Sequence, residues 1–389
     1  MTKHLSIFAL VFSLGQSGYA ATALFTNIHH QYESIRALGM GDAFTAVAND
    51  YSALFYNPAA YTRFDDSNLQ LSLVDAAASS NITACQNLIS TVSGTSNVVT
   101  IVNALSAFYG NQCEVRLKAL EVAYADHNWG FAFVPADVSV DMSVNNQAAP
   151  ALDIRAYADT TLAVAISRPI RNRSLGLLSW GLTIKGIERE YVSAELNALD
   201  LAADSGSVSK TLSSANASSG ATTDVDLGFL FTPYMPWAWD WLRESRPTFA
   251  LVGHNLLDYG FTSKPINISS ASYGTPEQLY RVFDVGSRFE LPSFWVFHGR
   301  FALDERDMNH PQFNWRRGLH LGFEFDWALT SWWKGAWRVG MSEGFYPTAG
   351  FSALMGVFRL DLATWADEIG TYANPVSNRM YQARLAMDI

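Results

Sequence analysis

The sequence is poor in charged residues and has no basic cluster. Asp, Glu, Lys and Arg make up 16% of its 389 residues, against about 25% in typical soluble domains. Acidic residues outnumber basic ones by 36 to 26, which gives a formal net charge of −10. A nucleic-acid-binding surface needs clustered positive charge. The composition therefore argues against a nucleic-acid partner.

Long apolar runs are also missing. Nothing after the N-terminus approaches the 18 or so uninterrupted apolar residues of a membrane-spanning helix, so a helical membrane protein is excluded. Yet aromatic residues make up 13% of the chain, including 12 Trp and 24 Phe. So many rings need a large apolar environment, which a transmembrane β-barrel provides on its lipid-facing side.

The N-terminus has the pattern of a secretory signal peptide. A charged start precedes the apolar run Leu5–Leu14, and the small residues Gly18 and Ala20 follow it. The run is too short to cross about 30 Å of hydrocarbon as a helix. We therefore predict a signal peptide over residues 1–20, cleaved after Ala20. A short membrane anchor is the alternative.

Cysteine is scarce, with only Cys85 and Cys113 in the chain. An exported protein meets an oxidising compartment, so the two residues are predicted to form a disulfide. The bond would close a loop of about 28 residues and stabilise by roughly 3 kcal/mol. No partners for a catalytic thiol or a metal lie nearby in sequence, and neither a cofactor nor a metal is predicted.

Period-two alternation is the main positive signal, and it begins at Asn68. Asp153, Arg155 and Tyr157 alternate with Leu152 and Ile154, and the same pattern recurs to the end of the chain. The apolar face is consistently bulky, which fits lipid outside and a polar lumen inside. The charged residues predicted to line the lumen are Asp153, Arg155, Asp159, Asp284, Arg288, Arg300, Glu324, Asp326, Arg338, Arg359 and Asp361.

Counting these segments predicts an all-β, transmembrane antiparallel barrel of about fourteen strands. One ambiguous segment, 347–366, is split by a turn at Gly356. If the first strand runs outward, short turns fall on the periplasmic side and long connections on the outer side, as is typical of such barrels. Tryptophan favours the membrane interface, and seven lie at the predicted short turns: Trp129, Trp237, Trp239, Trp241, Trp295, Trp332 and Trp333.

The insertion 76–115 is not strand-like. Its sequence predicts two short apolar helices joined by a Gly-Thr-Ser link and cross-linked by the predicted disulfide. Such an insertion could cap the outer mouth of the barrel or fold into its lumen, and the sequence leaves both open. A second connection, 305–316, begins within a run of acidic residues, Asp304, Glu305 and Asp307. Their spacing does not match a calcium loop, so a solvated surface cluster is predicted.

The opening stretch RALGMGDAFTAVANDYSALFYNPAAY, residues 36–61, resembles the N-terminal motif of the FadL-type outer-membrane transporter superfamily, including its PorV-like branch. The C-terminal RVGMSEGFYPTAGFSALMGVFRLDLATWADEIG resembles the same branch. The resemblance implies a fourteen-stranded barrel whose N-terminus folds back inside as a hatch, and a role with hydrophobic molecules. It divides the mature chain into a hatch over 21–66 and a barrel over 67–389. The hatch-motif residues are Gly39, Gly41, Asp42, Phe44, Tyr56, Asn57 and Pro58.

The residues of this motif favour a hatch on physical grounds as well. Gly39 and Gly41 allow close backbone approach, and the alanines that follow predict a thin helix. Pro58 biases Asn57 away from a helical conformation, and Asn57 can bond its own backbone to set a turn. The alternative is an ordinary N-terminal helix packed at the periplasmic rim.

Two functions are compatible with a bacterial outer-membrane barrel. In the first, it binds or transports hydrophobic or lipid-like molecules with the hatch as gate. A hydrophobic pocket would then lie between the hatch and the insertion, although the same residues could be the core of a helical cap. The residues concerned are Leu88, Val98, Ile101, Leu105 and Phe108.

In the second, the barrel is a structural homo-oligomer that holds lipid or anchors periplasmic or surface proteins, without solute transport. Small residues such as Ala156 and Ala158 would permit close packing between barrels. The charged lumen favours this second hypothesis. An enzyme is not predicted: His298 and His320 fall on neighbouring strands, but no nucleophile motif accompanies them.

Overall fold

The computed structural model describes residues 27–145, 149–172, 175–204, 207–212, 217–262 and 275–389. The predicted signal peptide and residues 21–26 lie outside this part of the chain. No helix within it is both long and apolar enough to cross a bilayer.

Fourteen antiparallel strands form one closed barrel, as predicted from the alternation. Each strand pairs with its neighbours in sequence, and the last strand pairs with the first to close the wall. The split predicted at Gly356 is correct, because this residue has φ of 64° in the turn between β12 and β13. The strands are β1 Asn68–Ser79, β2 Gln112–Asp126, β3 Trp129–Asn145, β4 Ala151–Asn172, β5 Gly176–Asn197, β6 Ser218–Pro233, β7 Thr248–His254, β8 Val282–Glu290, β9 Phe297–Met308, β10 Leu319–Ala328, β11 Trp333–Ser342, β12 Tyr346–Met355, β13 Phe358–Glu368 and β14 Ser377–Asp388.

Helices are short and lie outside the wall or inside the barrel. They are α1 Ile35–Gly39, α2 Ala53–Tyr56, a 3₁₀ helix Pro58–Arg63, α3 Ile82–Ser93, α4 Val98–Phe108, α5 Ala198–Ala203, α6 Ser207–Thr211, α7 Asp240–Glu244 and α8 Trp315–Gly318, with a single 3₁₀ turn Glu343–Phe345 between β11 and β12. Helices α3 and α4 are the two predicted for the insertion, and residues 94–97 link them.

Side chains alternate between the two faces of the wall as predicted. On β4, Leu162, Val164 and Ile166 are 54%, 46% and 49% exposed, while the residues between them are buried. Polar side chains such as Asp153 and Arg155 face the interior and are buried. The outer face is therefore apolar and open, as a lipid-facing wall requires.

The barrel has two different ends. At the short-turn end, strands are joined by turns such as 127–128, 329–332 and 356–357. At the long-loop end, the connections include 80–111, 198–217 and 255–281. All seven tryptophans predicted at short turns lie at the short-turn end.

The prediction for the acidic residues at the start of 305–316 is wrong. Strand β9 continues to Met308, so Asp304 and Asp307 belong to the wall rather than to a solvated loop. Both side chains are buried. Regular alternation would place Asp304 and Asp307 on opposite faces, because they are three positions apart. A positive φ of 57° at Asp307 interrupts the alternation and turns its side chain to the same face.

Candidate functional site

The N-terminal segment, residues 27–66, occupies the interior of the barrel. Near the long-loop end, the Arg155 guanidinium donates a 2.9 Å hydrogen bond to Asn27 Oδ1. At the short-turn end, the Asn128 N–H donates to the Tyr61 carbonyl at 3.0 Å. The segment therefore runs down the inside of the wall and leaves it where β1 begins.

Two glycines of the motif lie against the wall with no room for a side chain. A Cβ on Gly39 would come within 2.8 Å of Gly350 Cα on β12. A Cβ on Gly41 would come within 2.4 Å of the Leu321 carbonyl oxygen, and Gly41 also has a positive φ of 71°. Backbone-to-backbone contact of this kind leaves glycine as the only residue that fits.

Asp42, Phe44 and Tyr56 form one buried group within the segment. The Tyr56 hydroxyl donates to Asp42 Oδ1 at 2.7 Å, and the Phe44 ring meets the Tyr56 ring edge-on at 5.2 Å between centroids. Asp42 also forms an ion pair with Arg306 on β9. The group ties the middle of the segment to the wall.

Asn57 and Pro58 shape the lower part of the segment. Asn57 Oδ1 accepts from the Ala59 N–H at 3.1 Å, which is the predicted local turn. Its Nδ2 donates to the carbonyls of Thr45, at 3.0 Å, and of Phe229 on β6, at 3.3 Å. One side chain thus joins two parts of the segment to the wall.

The thin helix predicted through the alanines after Gly41 is not formed. Residues 43–52 consist of turns and irregular backbone, and within the described part of the N-terminal segment only α1, α2 and the 3₁₀ helix Pro58–Arg63 are helical. The Thr45 N–H donates instead to Asp304 Oδ2 on β9 at 2.7 Å. A contact with the wall thus replaces a helical hydrogen bond at Thr45, whereas Val47 and Ala48 both donate to the Phe44 carbonyl within one local turn.

Charged side chains anchor the upper half of the segment. Arg36 binds Glu324 on β10, and His30 Nε2 lies 2.9 Å from Asp307 Oδ2. Glu33 pairs with Arg116 on β2. These pairs connect the segment to three separate strands.

Two of these groups have shifted pKa values with identifiable causes. Burial alone would raise the pKa of Glu33, but Arg116 and then His30 outweigh it and lower this pKa to about 2. Burial would lower the pKa of His30, but Asp307 and Glu33 outweigh it and raise this pKa well above its ordinary value. Both groups are therefore charged at neutral pH.

The two histidines considered for catalysis have other surroundings. His320 is buried, and its Nδ1 lies 2.7 Å from the Gly41 carbonyl oxygen. His298 is exposed and pairs in register with Asp326 on β10. His320 thus contacts the backbone of the N-terminal segment. Among the described ranges, no three His, Cys, Asp or Glu side chains are grouped so as to hold a metal ion.

An apolar strip of the inner wall lies behind the aromatic residues of the segment. Tyr32, Phe44, Phe55, Tyr61 and Phe64 belong to one buried cluster with small apolar residues of six strands. The strip, hereafter the alanine strip, consists of Ala123, Ala125, Ala132, Val134, Ala163, Ala165, Leu230, Ala250 and Ala302.

The charged lumen residues predicted from the sequence are mostly paired within the wall. Arg155 pairs with Asp141 at 2.7 Å, Arg189 with Asp159 at 2.6 Å and Lys185 with Asp226 at 2.9 Å. Arg384 and Asp361 form a further pair at 2.6 Å. Neutralisation of these charges therefore does not depend on the N-terminal segment.

The insertion lies against the outward-facing side of the wall, so it does not fold into the lumen, one of the two placements that the sequence left open. Its helices pack on outward-facing residues of β3 and β4, including Met142, Val144, Leu152 and Ile154. The five residues predicted to line a pocket are in this packed cluster: Leu88, Val98, Ile101, Leu105 and Phe108. The wall separates them from the N-terminal segment, so they do not form a pocket with it.

The predicted disulfide is formed between Cys85 and Cys113, with 6.2 Å between their Cα atoms. It joins α3 to the first residues of β2, where both sulfurs are buried in the same outer cluster. The bond thus fastens the insertion to the outside of the barrel.

Arg36 and Arg306 were not predicted to anchor the N-terminal segment to the wall. Arg306 follows the inward-facing Asp304 on β9 at the expected spacing, so its orientation could have been deduced from alternation. Its pairing with Asp42 could not, because the two residues are 264 positions apart.

Solved structures with similar barrels include the monoaromatic hydrocarbon channel CymD, with a TM-score of 0.45 and 9% identity over 90% of this chain and 96% of that one. The toluene transporter TbuX of Ralstonia pickettii has a TM-score of 0.45 and 10% identity, with coverage of 90% and 96%. For the toluene transporter TodX of Pseudomonas putida the values are 0.43 and 9%, with coverage of 90% and 96%. No family model and no curated protein matches the sequence. At these identities the likeness concerns the fold alone.

Proposed function

We propose that this protein is a bacterial outer-membrane barrel of the FadL type that binds or transports small hydrophobic molecules. Residues 21–66 form its hatch and residues 67–389 its barrel. The hatch motif, from Gly39 to Pro58, holds the hatch in the closed position. The observation that carries the proposal is the alanine strip, which the aromatic residues of the N-terminal segment cover.

The alanine strip gives the interior an apolar surface that a charged lumen would otherwise lack. When the segment moves aside, the strip exposes small apolar side chains on β2, β3, β4, β6, β7 and β9. The free energy of a hydrophobic molecule would change little on transfer from another apolar environment to this surface. Meanwhile Arg155, Arg189 and Lys185 keep their wall carboxylates.

The anchors of the segment are suited to reversible release. Ion pairs such as Arg36–Glu324 are buried, and Glu324 keeps Arg338 as a partner at 2.5 Å when Arg36 leaves. Opening therefore leaves no unpaired carboxylate on β10. This matters because an unpaired buried charge would cost several kcal/mol.

An outer-membrane location is supported by the two surfaces of the barrel. The outer face of β4 is apolar and half exposed, as lipid contact requires. Tryptophans crowd the short-turn end, with Trp237, Trp239 and Trp295 at least 74% exposed. Rings in this position suit a membrane interface.

The test is uptake of radiolabelled toluene, used as a probe hydrophobe, by cells that make the protein and lack other hydrophobe channels. Ala163→Ser adds a hydroxyl to the alanine strip at nearly constant volume. Leaving that hydroxyl without a polar partner beside the probe costs on the order of 1 kcal/mol, so uptake should fall roughly two- to tenfold.

Ala336→Ser is the matched control. Ala336 is also buried and faces the interior, but from β11, outside the strip. Equal uptake by wild type, both variants and cells without the protein would overturn the proposal. Equal loss in both variants would show that the strip is not the path.

A further inference from the structure

We propose a phosphate-binding site at the short-turn end of the barrel interior, formed by Arg63, Arg288 and Arg300. It differs in chemistry from the surface proposed for the hydrophobic cargo, because it uses charged residues that are not part of the alanine strip, although Arg288 lies opposite Ala302 of that strip. The group recognised is a phosphate oxyanion, carried either by a lipid head group or by free inorganic phosphate.

The three arginines converge from three elements. Arg63 ends the 3₁₀ helix, where the N-terminal segment leaves the barrel. Arg288 lies on β8, two residues before its end, and Arg300 lies on β9, three residues after its start. In the β8–β9 register, Arg300 is opposite Glu290 and Arg288 is opposite Ala302, so the two arginines are diagonal neighbours.

These guanidinium groups are short of carboxylate partners. The hydrogen bond of Arg63 goes to the Ala46 carbonyl at 3.0 Å, and no ion pair joins it to any carboxylate of the described residues. Arg288 has Glu290 at 3.2 Å. Arg300 pairs with Asp326 and lies 3.1 Å from Glu324, but Glu324 also serves Arg36 and Arg338.

Several N–H donors in this cluster are buried without a hydrogen-bond partner. They are Arg300 Nε, together with Arg288 Nε and Arg300 Nη1, which face Glu290 and Glu324 at 3.2 and 3.1 Å without forming a hydrogen bond to them. A buried charged donor without an acceptor is costly, so an incoming oxyanion that accepts from these atoms would be strongly favoured. Guanidinium groups match phosphate oxygens in geometry as well as in charge.

Mutual repulsion supports the same inference. Burial and then the neighbouring Arg288 and Arg300 lower the pKa of Arg63 to about 9, although Glu290 opposes the shift. Positive charge held together in this way is relieved by an anion. The side chains remain partly open, with Arg288 and Arg300 15% and 11% exposed, so a small oxyanion can reach them from the short-turn end.

The experiment measures binding to the full mature protein in a phosphate-free, uncharged maltoside detergent. One arm titrates inorganic phosphate by calorimetry. A second arm titrates a short-chain phosphatidic acid against a short-chain neutral glyceride of equal length. The variants are Arg63→Gln and Arg288→Gln. The control is Arg243→Gln, since Arg243 is exposed on α7 and pairs with Asp240 there.

We expect at least one phosphate probe to bind wild type and Arg243→Gln equally and each inner variant at least tenfold more weakly. Binding of inorganic phosphate would identify a free-anion site, and binding of phosphatidic acid alone would identify a head-group site. Absence of binding in both arms, or equal affinity in all folded variants, would overturn the proposal. Heat-dependent gel mobility verifies folding. Two separate inner variants are used, so the test remains possible if one of them does not fold. Toluene uptake is measured separately in cells that make the same variants, so failure of this site and failure of transport are distinguishable.

Discussion

Arg36 in the N-terminal segment donates two hydrogen bonds to Glu324 on β10, from Nε at 2.8 Å and from Nη2 at 2.6 Å. Each bond goes to a different carboxylate oxygen, so the pair has the two-point geometry of the strongest ion pairs. Glu324 is completely buried and also accepts from Arg338. One wall carboxylate therefore holds the segment and its own strand neighbour together.

This arrangement predicts different costs for removing the two partners. Glu324→Gln leaves Arg36 and Arg338 without their shared carboxylate, and should lower the free energy of unfolding by about 3–5 kcal/mol. Arg36→Met leaves Glu324 paired with Arg338 and should cost clearly less. Urea unfolding of the refolded barrel measures both. Equal losses would contradict a shared carboxylate.

Glycine contacts predict a second pair of variants on β5. A Cβ on Gly181 would lie 2.3 Å from the Pro58 carbonyl carbon, whereas a Cβ on Gly186 meets nothing within 4 Å. Gly181→Ala should therefore displace the N-terminal segment, lower stability by roughly 1–3 kcal/mol and increase channel conductance. Gly186→Ala should leave conductance unchanged. Identical behaviour of the two variants would argue against the close contact with Pro58.

The outer position of the insertion predicts that the disulfide affects local stability but not transport. Replacing Cys85 and Cys113 by Ala opens a loop of 28 residues and should destabilise the insertion by roughly 3–4 kcal/mol. Proteolysis at residues 94–97 should then be faster. Toluene uptake should stay at the wild-type level. Loss of uptake with an intact barrel would instead support a path through the insertion.

Glu33 predicts an acid-sensitive anchor. Its pKa falls from an ordinary 4.5 to about 2 in the folded protein, so its stabilising contribution is present above pH 4.5 and is lost as pH falls towards 2. The difference corresponds to roughly 3 kcal/mol. The hydrogen-exchange protection factors of residues 30–38, which correct for the intrinsic exchange rate at each pH, should fall across this window in wild type. Glu33→Gln should exchange faster at pH 6 and lose most of the acid response.

Much of the barrel could be predicted from the sequence, because each strand alternates. The alternation along β10 predicts which of its residues face outward and which face inward, including the inward side chain of Glu324. The conformation of residues 43–52 could not be predicted in this way. Alanine favours helix, but the positive φ of Gly41 and Asp42 and the bond from Thr45 to Asp304 are set by the wall.

The alternation pattern also could not predict the position of the insertion, because a helix with an apolar face can pack on either side of the barrel wall. A usable signal was present on β3 and β4. Met142, Val144, Leu152 and Ile154 continue the apolar outer face towards the long-loop end, and the helices α3 and α4 bury them. The signal peptide stays a prediction, since it precedes the described residues.

The proposed function depends on closure of the barrel by the N-terminal segment. Single-channel conductance in planar bilayers tests it most directly, with the mature protein compared to a variant lacking residues 21–60. Refolding of the variant is verified first by circular dichroism and gel mobility. The deletion should raise conductance severalfold, because the segment occupies the interior from Asn27 to the 3₁₀ helix. A folded deletion variant with the conductance of the mature protein would contradict it.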